Sequence, residues 1–396
     1  MQLCFFDDES ASNFLPLTLT RPTDDLRIGI FTIREKWEKW LKPSQTSRIT
    51  KPYLSKLFHT PSINETSDCL WINSRCIPKK SIIDSIIKLK TGDALYYGNI
   101  LIACRVSGKE SINNYQKSKI PTVQNQISLK EEPTLITYYW DLLSLNGPQI
   151  KQDIKLKRLH PIKTNKLNNS IVTVNSENIF IADTAEIEPG VTIFADKGPV
   201  YIGAGAVIES GSVLRGPLAI CDHSKIISNA RISDGTTIGP VCKAAGEINN
   251  CIFHSYSNKS HDGFAGNSIF GQWCNLAAGT ITSNLKSNYG HFRVPHWQNG
   301  SLSERKVQFF GTVFGDFTKT AIQTRINVGT ICGVNTNILT TDFTPKKIPS
   351  FTWLTDNGAA KYDFEKASEA MQAMMARRNV ELTVDYKEMM KIIYDS

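Results

Sequence analysis

No stretch of this 396-residue chain approaches the ~20 consecutive apolar residues of a membrane-spanning helix, so no membrane insertion is expected. The opening MQLCFFDDES lacks a basic n-region and a long apolar h-region, which argues against export. Nine cysteines are scattered with no CxxC pair. Their odd number and the missing export signal favour reduced thiols in a cytoplasm over a disulfide framework. Basic and aromatic residues are not interleaved as on RNA-binding sheets, so no nucleic-acid partner is expected.

What is present is ordinary globular material, with 41% hydrophobic and 21% charged residues and enough chain for two or three domains. The net charge of +8 is unevenly placed. Residues 51–169 hold 18 Lys+Arg against 9 Asp+Glu, whereas residues 170–345 hold 12 against 13. The excess thus belongs to the front part and to KQDIKLKRLHPIKTNK, and a basic surface of this kind suits phosphorylated substrates.

From Ile202 the chain carries a repeat of period six. Ile202, Ile208, Leu214, Ile220, Ile226, Ile232 and Ile238 follow one another without a gap. Ile181, Ile187 and Ile193 keep the spacing upstream, before a short insertion near Gly198. Phe264, Phe270 and Leu276 resume it, and Ile326, Cys332 and Ile338 close it. Six matches neither the helix period of 3.6 nor the strand period of 2. It matches a hexapeptide β-helix, in which each short strand turns one aliphatic residue inward and three hexads complete a triangular coil. Residues 175–343 are expected to form roughly eight coils by this logic, with 283–306 extruded from a corner as a long polar loop.

The ends read differently. Thr32 and Glu35 form a capping-box pattern ahead of a helix whose apolar face is Ile33, Trp37, Trp40 and Leu41. LCFF, CLWIN and ILIACRV read as buried strands between helices, an α/β pattern. TLITYYWDLLSLNGPQIKQDI reads as a helix. After the repeat, DFEKASEAMQAMMARR places Phe364, Met371, Met374 and Met375 on one helical face, and TVDYKEMMKIIY is a second helix. The expected organisation is an α/β domain over 1–150, a basic linker over 151–174, the parallel β-helix over 175–343 and a helical tail over 344–396.

Within NKSHDGFAGNSIFGQWCNLAAGTITSN stands a lone imidazole, His261. A β-helix core has no need of one. Gly263 and Gly266 beside it would let a ligand approach the backbone. Asn275 and Asn284 follow one to two coils on, where the three polar groups are expected to converge on one edge.

These blocks resemble the acetyltransferase half of the bifunctional UDP-N-acetylglucosamine pyrophosphorylase/glucosamine-1-phosphate N-acetyltransferase family. That family reads G-H-L-T-Y-L-G, then N-I-G-A-G-T-I-T-C-N-Y; this chain reads S-H-D-G-F-A-G, then N-L-A-A-G-T-I-T-S-N-L at the same spacing. LPLTLTRPTDDLRIGIFTIREKWEKW and GPVCKAAGEINNCIFHSYSNKSHDGF are further similar to a diverged branch with a shortened nucleotidyltransferase-like front domain. The resemblance implies a left-handed β-helix, a homotrimer and acetyl transfer from acetyl-CoA to an amino sugar phosphate, glucosamine 1-phosphate first. By position, His261 takes the place of the catalytic base, a role that suits an imidazole at neutral pH. Glu247 matches a glutamate near that base. Arg231 matches the arginine that holds the sugar phosphate, and Asn275 and Asn284 match sugar-site asparagines. Ala278 matches a residue whose N–H lies near the thioester. The chain departs from the pattern at Asn249, where the family has a substrate-binding lysine, at Phe264, where it has tyrosine, and at Leu285. Lys286 and Arg293 of the long loop are candidates to compensate. Lys346, Lys347, Arg377 and Arg378 are candidates for the phosphates of coenzyme A.

Sugar nucleotidyltransferases open on a strand followed by a Gly-rich loop that wraps triphosphate with backbone N–H groups. Here no glycine precedes Gly29. Either Arg21, Arg27, Arg34 and Lys36 are the nucleotide contacts in its place, with sugar-1-phosphate uridylyl transfer as a second activity, or the domain no longer transfers nucleotides. Asp7 and Asp8, at the ligand end of the first strand, are candidates for Mg²⁺. Two other readings compete. One is a zinc-dependent hydratase of the γ-carbonic-anhydrase kind, using His223, His254 and His261. The other is a non-catalytic trimeric sugar-nucleotide-binding subunit.

Overall fold

The computed structural model describes residues 1–58, 63–123, 125–162, 167–304 and 307–396. Part of the expected basic linker, 163–166, and two residues of the long break, 305–306, lie outside the described residues. The chain divides into two compact units: Met1–Phe14, Arg21–Leu26 and Phe31–Tyr138 form one, and Leu15–Thr20, Arg27–Ile30 and Tyr139–Ser396 form the other.

The front unit is built on a six-stranded sheet. The strand Gln2–Phe6, buried along its whole length, pairs in parallel with Gln45–Arg48 and with Cys69–Asn73. Ile100–Val106 runs antiparallel to both Cys69–Asn73 and Asp93–Tyr97, and Asn125–Ser128 closes the edge. Strands covered on both faces need continuous rather than alternating apolar runs, as LCFF and CLWIN provide. The helix Ile33–Leu41 starts on the expected capping box: Thr32 Oγ1 accepts from Glu35 N–H, and the Glu35 carboxylate accepts from Thr32 N–H. Its Trp37 is fully buried and its indole N–H donates to the Cys76 carbonyl at 2.8 Å.

The second unit is a parallel β-solenoid with three faces. One face is a nine-stranded sheet running from Ile179–Ile181 to Lys347–Ile348. A second is the six-stranded sheet from Val172–Val174 to Phe264–Gly266. The third begins as five strands, from Glu186–Ile187 to Asn258–Lys259. It continues through single bridges at Asn275 to Lys319–Thr320, Asn337–Ile338 and Thr352–Thr355. All seven residues of the hexad row from Ile202 to Ile238 are buried in one continuous core. They stack as the repeat demands, for example Ile202 on Ile220 on Ile238.

Several expectations are corrected here. The coils shorten past Ile238: Ile232 stacks on Ile248 and Ile248 on Ala265, 16 and 17 residues apart rather than 18. Ala265 therefore takes the inward place expected for Phe264, whose register partner is the outward Glu247. The helix Tyr139–Lys157 runs through the boundary placed at 150 and belongs to the solenoid unit. Its buried Asn146 donates to the Gly235 carbonyl at 2.6 Å and to Thr237 Oγ1 at 2.9 Å. The linker expected over 151–174 thus begins as helix and ends as the strand Val172–Val174. The parallel ladder also runs on past 343, because Lys347–Ile348 and Thr352–Thr355 each find a preceding coil to pair with. Only then do the helices Phe364–Ala376 and Val384–Asp395 follow. Among the described residues no helix is long and apolar enough to cross a membrane.

Candidate active site

His261 stands at a corner, between the strand Asn258–Lys259 on the third face and Phe264–Gly266 on the six-stranded face. Asn258 bridges Asn275, so one coil here is 17 residues, and Ala278 occupies the position one coil on from His261. The two corners are tied by the Gly279 N–H donating to the Asp262 carbonyl at 3.0 Å. The glycines nearby make room for the chain itself rather than for a ligand. A side chain on Gly263, at φ +131°, would meet the Thr280 carbonyl, and one on Gly266 would meet Asn284 and the Phe264 ring.

On the third face His261 lines a cleft of about 450 Å³ with Lys243, Asn258 and Asn275. Tyr256 and Trp273 form one wall, their rings stacked with centroids 4.3 Å apart. The helix Phe364–Ala376 and the two arginines after it form the other, through Met374, Arg377 and Arg378. Burial lowers the Lys243 pKa, and the neighbouring Arg378, Lys225 and Arg377 lower it further. Cations gathered this closely, beside stacked rings, make a site for an anionic ligand with a flat ring system.

The six-stranded face carries the other set. Arg231 pairs in register with Glu247, and Glu247 with Phe264. The Arg231 guanidinium donates to the Glu247 carboxylate at 3.0 Å. Asn249 donates to Asp234 at 2.7 Å and to Ser233 Oγ at 3.2 Å. Phe264 and Asn284 line a separate groove with Ile281, Arg325 and Phe343. The expected convergence is therefore partial: His261 and Asn275 share a cleft, while Asn284, a corner further along, donates to Asn267 Oδ1 at 2.8 Å.

The coenzyme candidates divide as well. Arg377 and Arg378 reach the His261 cleft, because the helix before them folds back over the third face. Lys346 and Lys347 end up elsewhere, since Lys347–Ile348 extends the nine-stranded sheet; Lys346 bonds the Val328 carbonyl and Lys347 lies over the Trp297 ring. In the long loop Lys286 is held by the His291 carbonyl at 2.6 Å, and Arg293 is exposed on the hairpin Arg293–Pro295 and Leu302–Glu304. The three imidazoles of the zinc reading lie on different parts of the solenoid. His223 is at the corner before Lys225–Ile226, and His254 is in a strand of the nine-stranded face with its Nδ1 3.1 Å from Ser255 Oγ. Among the described residues no group of three His, Cys, Asp or Glu side chains could hold a metal ion.

In the front unit most of the named cations are already matched by acids. Arg21 lies 3.6 Å from Asp25, and Arg34 donates to Glu38 at 2.8 Å. Lys36 is fully buried in its helix. Arg27 belongs to the other unit, where it donates to the His254 carbonyl at 2.9 Å. Asp7 and Asp8 do not fit a Mg²⁺ site. Asp8 is filled by the Arg75 fork, Asn73 and the Ser10 N–H. Burial opposes its charge, but these bonds outweigh that and hold its carboxyl below the usual range. Asp7 is pushed the other way by burial, toward the neutral form that binds no cation.

Sequence reasoning missed Lys259. It occupies an inward row, stacked on Ala244, and its ammonium donates to the Ala245 and His261 carbonyls at 3.1 and 2.9 Å. Its position two residues before the lone histidine was the available signal.

Residues 3–160 match a family of sugar nucleotidyl transferases. The chain is 26% identical over 143 residues to the "Bifunctional protein GlmU" of Nostoc sp. (strain PCC 7120), covering 31% of this chain and 32% of the relative. It is 30% identical over 158 residues to that of Wigglesworthia glossinidia brevipalpis, covering 34% of each. It thus spans about a third of the length of these curated relatives. Among solved structures it is similar to the polysialic acid O-acetyltransferase OatWY, with a TM-score of 0.29 at 15% identity, covering 48% of this chain and 87% of the other. It is also similar to the UDP-N-acetylglucosamine acyltransferase of Campylobacter jejuni, with a TM-score of 0.25 at 17% identity, covering 57% and 94%.

Proposed function

We propose, for a chain that belongs to a GlmU-like family with a shortened nucleotidyltransferase-like front, that it is an acetyl-CoA-dependent N-acetyltransferase acting on an amino sugar phosphate. The observation that carries this is the cleft in which His261 and Asn275 meet Lys243, Arg377 and Arg378. Acetyl-CoA lies along the third face, its phosphates on Lys243, Arg377 and Arg378 and its adenine against Tyr256. The acceptor approaches the corner from the six-stranded face, where Arg231 offers a fork for its phosphate and Glu247 orients that fork. His261 takes a proton from the acceptor amine as nitrogen attacks the thioester carbonyl. The Ala278 N–H, one coil on, meets the developing oxyanion in this reading. The C–S bond then breaks, and coenzyme A leaves as the thiol by taking the proton held on His261. Neighbouring copies in a homotrimer complete the acceptor side, with the exposed Ile281 and Phe343 at the contact, and the protein works in the cytoplasm, where acetyl-CoA is made.

Uridylyl transfer by the front unit is supported by its family match alone. Arg21 and Arg34 are engaged by Asp25 and Glu38 within the domain, which speaks against their cradling a triphosphate.

The test is acetyl-CoA consumption across a panel of amino sugar phosphates and amino-sugar nucleotides, glucosamine 1-phosphate first. Turnover with one of them that depends on His261 supports the proposal. Coenzyme binding without turnover on any acceptor would point to a non-catalytic subunit.

A further inference from the structure

The inward rows of the solenoid bury apolar side chains at nearly every level. The row Ile208, Ile226 and Ala244 breaks at its next member, Lys259, which is 1% exposed. An ammonium in an apolar column is costly unless it is fully engaged. Here it donates to two carbonyls, Ala245 and His261, which belong to corresponding corners of successive coils. Ala244 below is small enough to leave the long side chain its space. The other charged or titratable groups facing the ammonium are Asp262, on the corner itself, and the Cys251 thiol inside the coil. Burial brings the Lys259 pKa down to about 8. An aliphatic residue would fill the same row with no such cost, so the column does not account for a lysine.

The corner accounts for it. His261 and Asp262 are exposed. The Asp262 and Gly263 carbonyls are held by the Gly279 and Glu247 N–H groups, at 3.0 and 3.2 Å, and the His261 carbonyl by the Lys259 ammonium. We infer that Lys259 is a positioning residue for acyl transfer: held between the Ala245 and His261 carbonyls, its ammonium fixes the backbone from which the His261 ring enters the cleft. This rests on His261 being the base proposed above. The acyl acceptor and the coenzyme never touch Lys259, so its effect falls on the rate of the chemical step rather than on binding.

The experiment compares the full-length chain with its Lys259→Met, Lys259→Gln and His261→Ala variants. Each is measured for kcat and KM with the best acceptor, for thermal unfolding, and for the Cε1–H signals of its histidines by NMR, with His261→Ala assigning the signal. Lys259→Met is expected to lower kcat about 10- to 100-fold with KM for acetyl-CoA changed less than about twofold, the penalty of a misplaced reacting group. It should also shift or broaden the His261 signal while leaving those of His223 and His254 in place. Lys259→Gln keeps a donor one atom short and should fall between the two. A folded Lys259→Met protein with the parent kcat and an unmoved His261 signal would overturn the inference and leave Lys259 a stability residue. Should Lys259→Met fail to fold, parent values in Lys259→Gln overturn it equally. If His261→Ala turns over at the parent rate, the base assignment fails instead, and the NMR comparison alone then decides whether Lys259 sets the ring's position.

Discussion

The Arg231 guanidinium and the Glu247 carboxylate meet at 3.0 Å across neighbouring strands, both well exposed to water. An exposed pair of this kind contributes only about 0–1 kcal/mol, so in the proposed reading Arg231 turns its fork to a ligand oxyanion at little cost while Glu247 stays beside it. Arg231→Ala should therefore raise KM for a phosphorylated acceptor by about tenfold or more, the worth of a charge-assisted hydrogen bond, and barely change it for the unphosphorylated sugar. Equal losses on both acceptors in steady-state kinetics would remove Arg231 from phosphate recognition.

His261→Ala should lower acetyl transfer by about 10²–10⁴-fold, the usual contribution of a positioned general base. Its fold should survive, because the ring points outward from the corner. Ile232→Asp should do the reverse and unfold the solenoid, since it buries a carboxylate in a row that holds only aliphatic groups. Circular dichroism and the transfer assay together separate the two. A His261→Ala protein that unfolds, or that keeps its activity, would show the imidazole to be structural.

Replacing both Arg377 and Arg378 with Ala should raise KM for acetyl-CoA about tenfold or more while leaving kcat at saturation nearly unchanged, the sign of lost uniform binding. Neither side chain is fully buried, so the melting temperature should hold. The parent KM should rise with salt and the variant's should rise less. An unchanged KM would move the coenzyme off this face.

All nine cysteines are free and buried. Burial pushes the Cys76, Cys104 and Cys242 thiols up to about 12. An unfolded thiol loses its proton near ~8.5, so the unfolded state sheds protons first as pH rises. The stability these thiols contribute is complete below that value and is lost as pH climbs toward the folded value. Urea midpoints should fall between pH 8 and pH 10, and a thiol reagent should label none of the nine in native buffer and all nine in denaturant. Rapid labelling of the native protein would contradict the buried arrangement.

The sequence made the middle of the solenoid plain because one kind of residue recurs at one spacing, from Ile202 to Ile238. It was less plain past Ile238, where coils lose one to three residues and nothing local marks the loss. Phe264 and Ala265 are equally good inward candidates until the register is seen. The helix Tyr139–Lys157 was visible, but its attachment through Asn146 to Gly235 and Thr237 joins residues some ninety positions apart. That His261 and Asn275 share an edge was expected from a separation of about one coil. The division of Arg377 and Arg378 from Lys346 and Lys347 was not, because it depends on the direction a helix takes after the last coil. Lys259 was hidden for a different reason: a lysine in a polar segment reads as solvated, and only the ladder shows it facing inward.

One further consequence lies in the third face, where Lys243, Asn258, Asn275 and Lys319 occupy successive rungs. Rungs of a parallel ladder are separated by ~4.8 Å, so these four polar groups graduate the surface at equal intervals over about 14 Å. Lys243, Asn258 and Asn275 line the cleft, which is in effect a ruler. In the proposed reading, an extended coenzyme laid along the cleft meets a donor or acceptor at each of these three graduations, and the height of its thioester is set by counting coils. Adding or removing one whole coil between His261 and the last helix would change the number of rungs that separate the corner from the wall carrying Arg377 and Arg378.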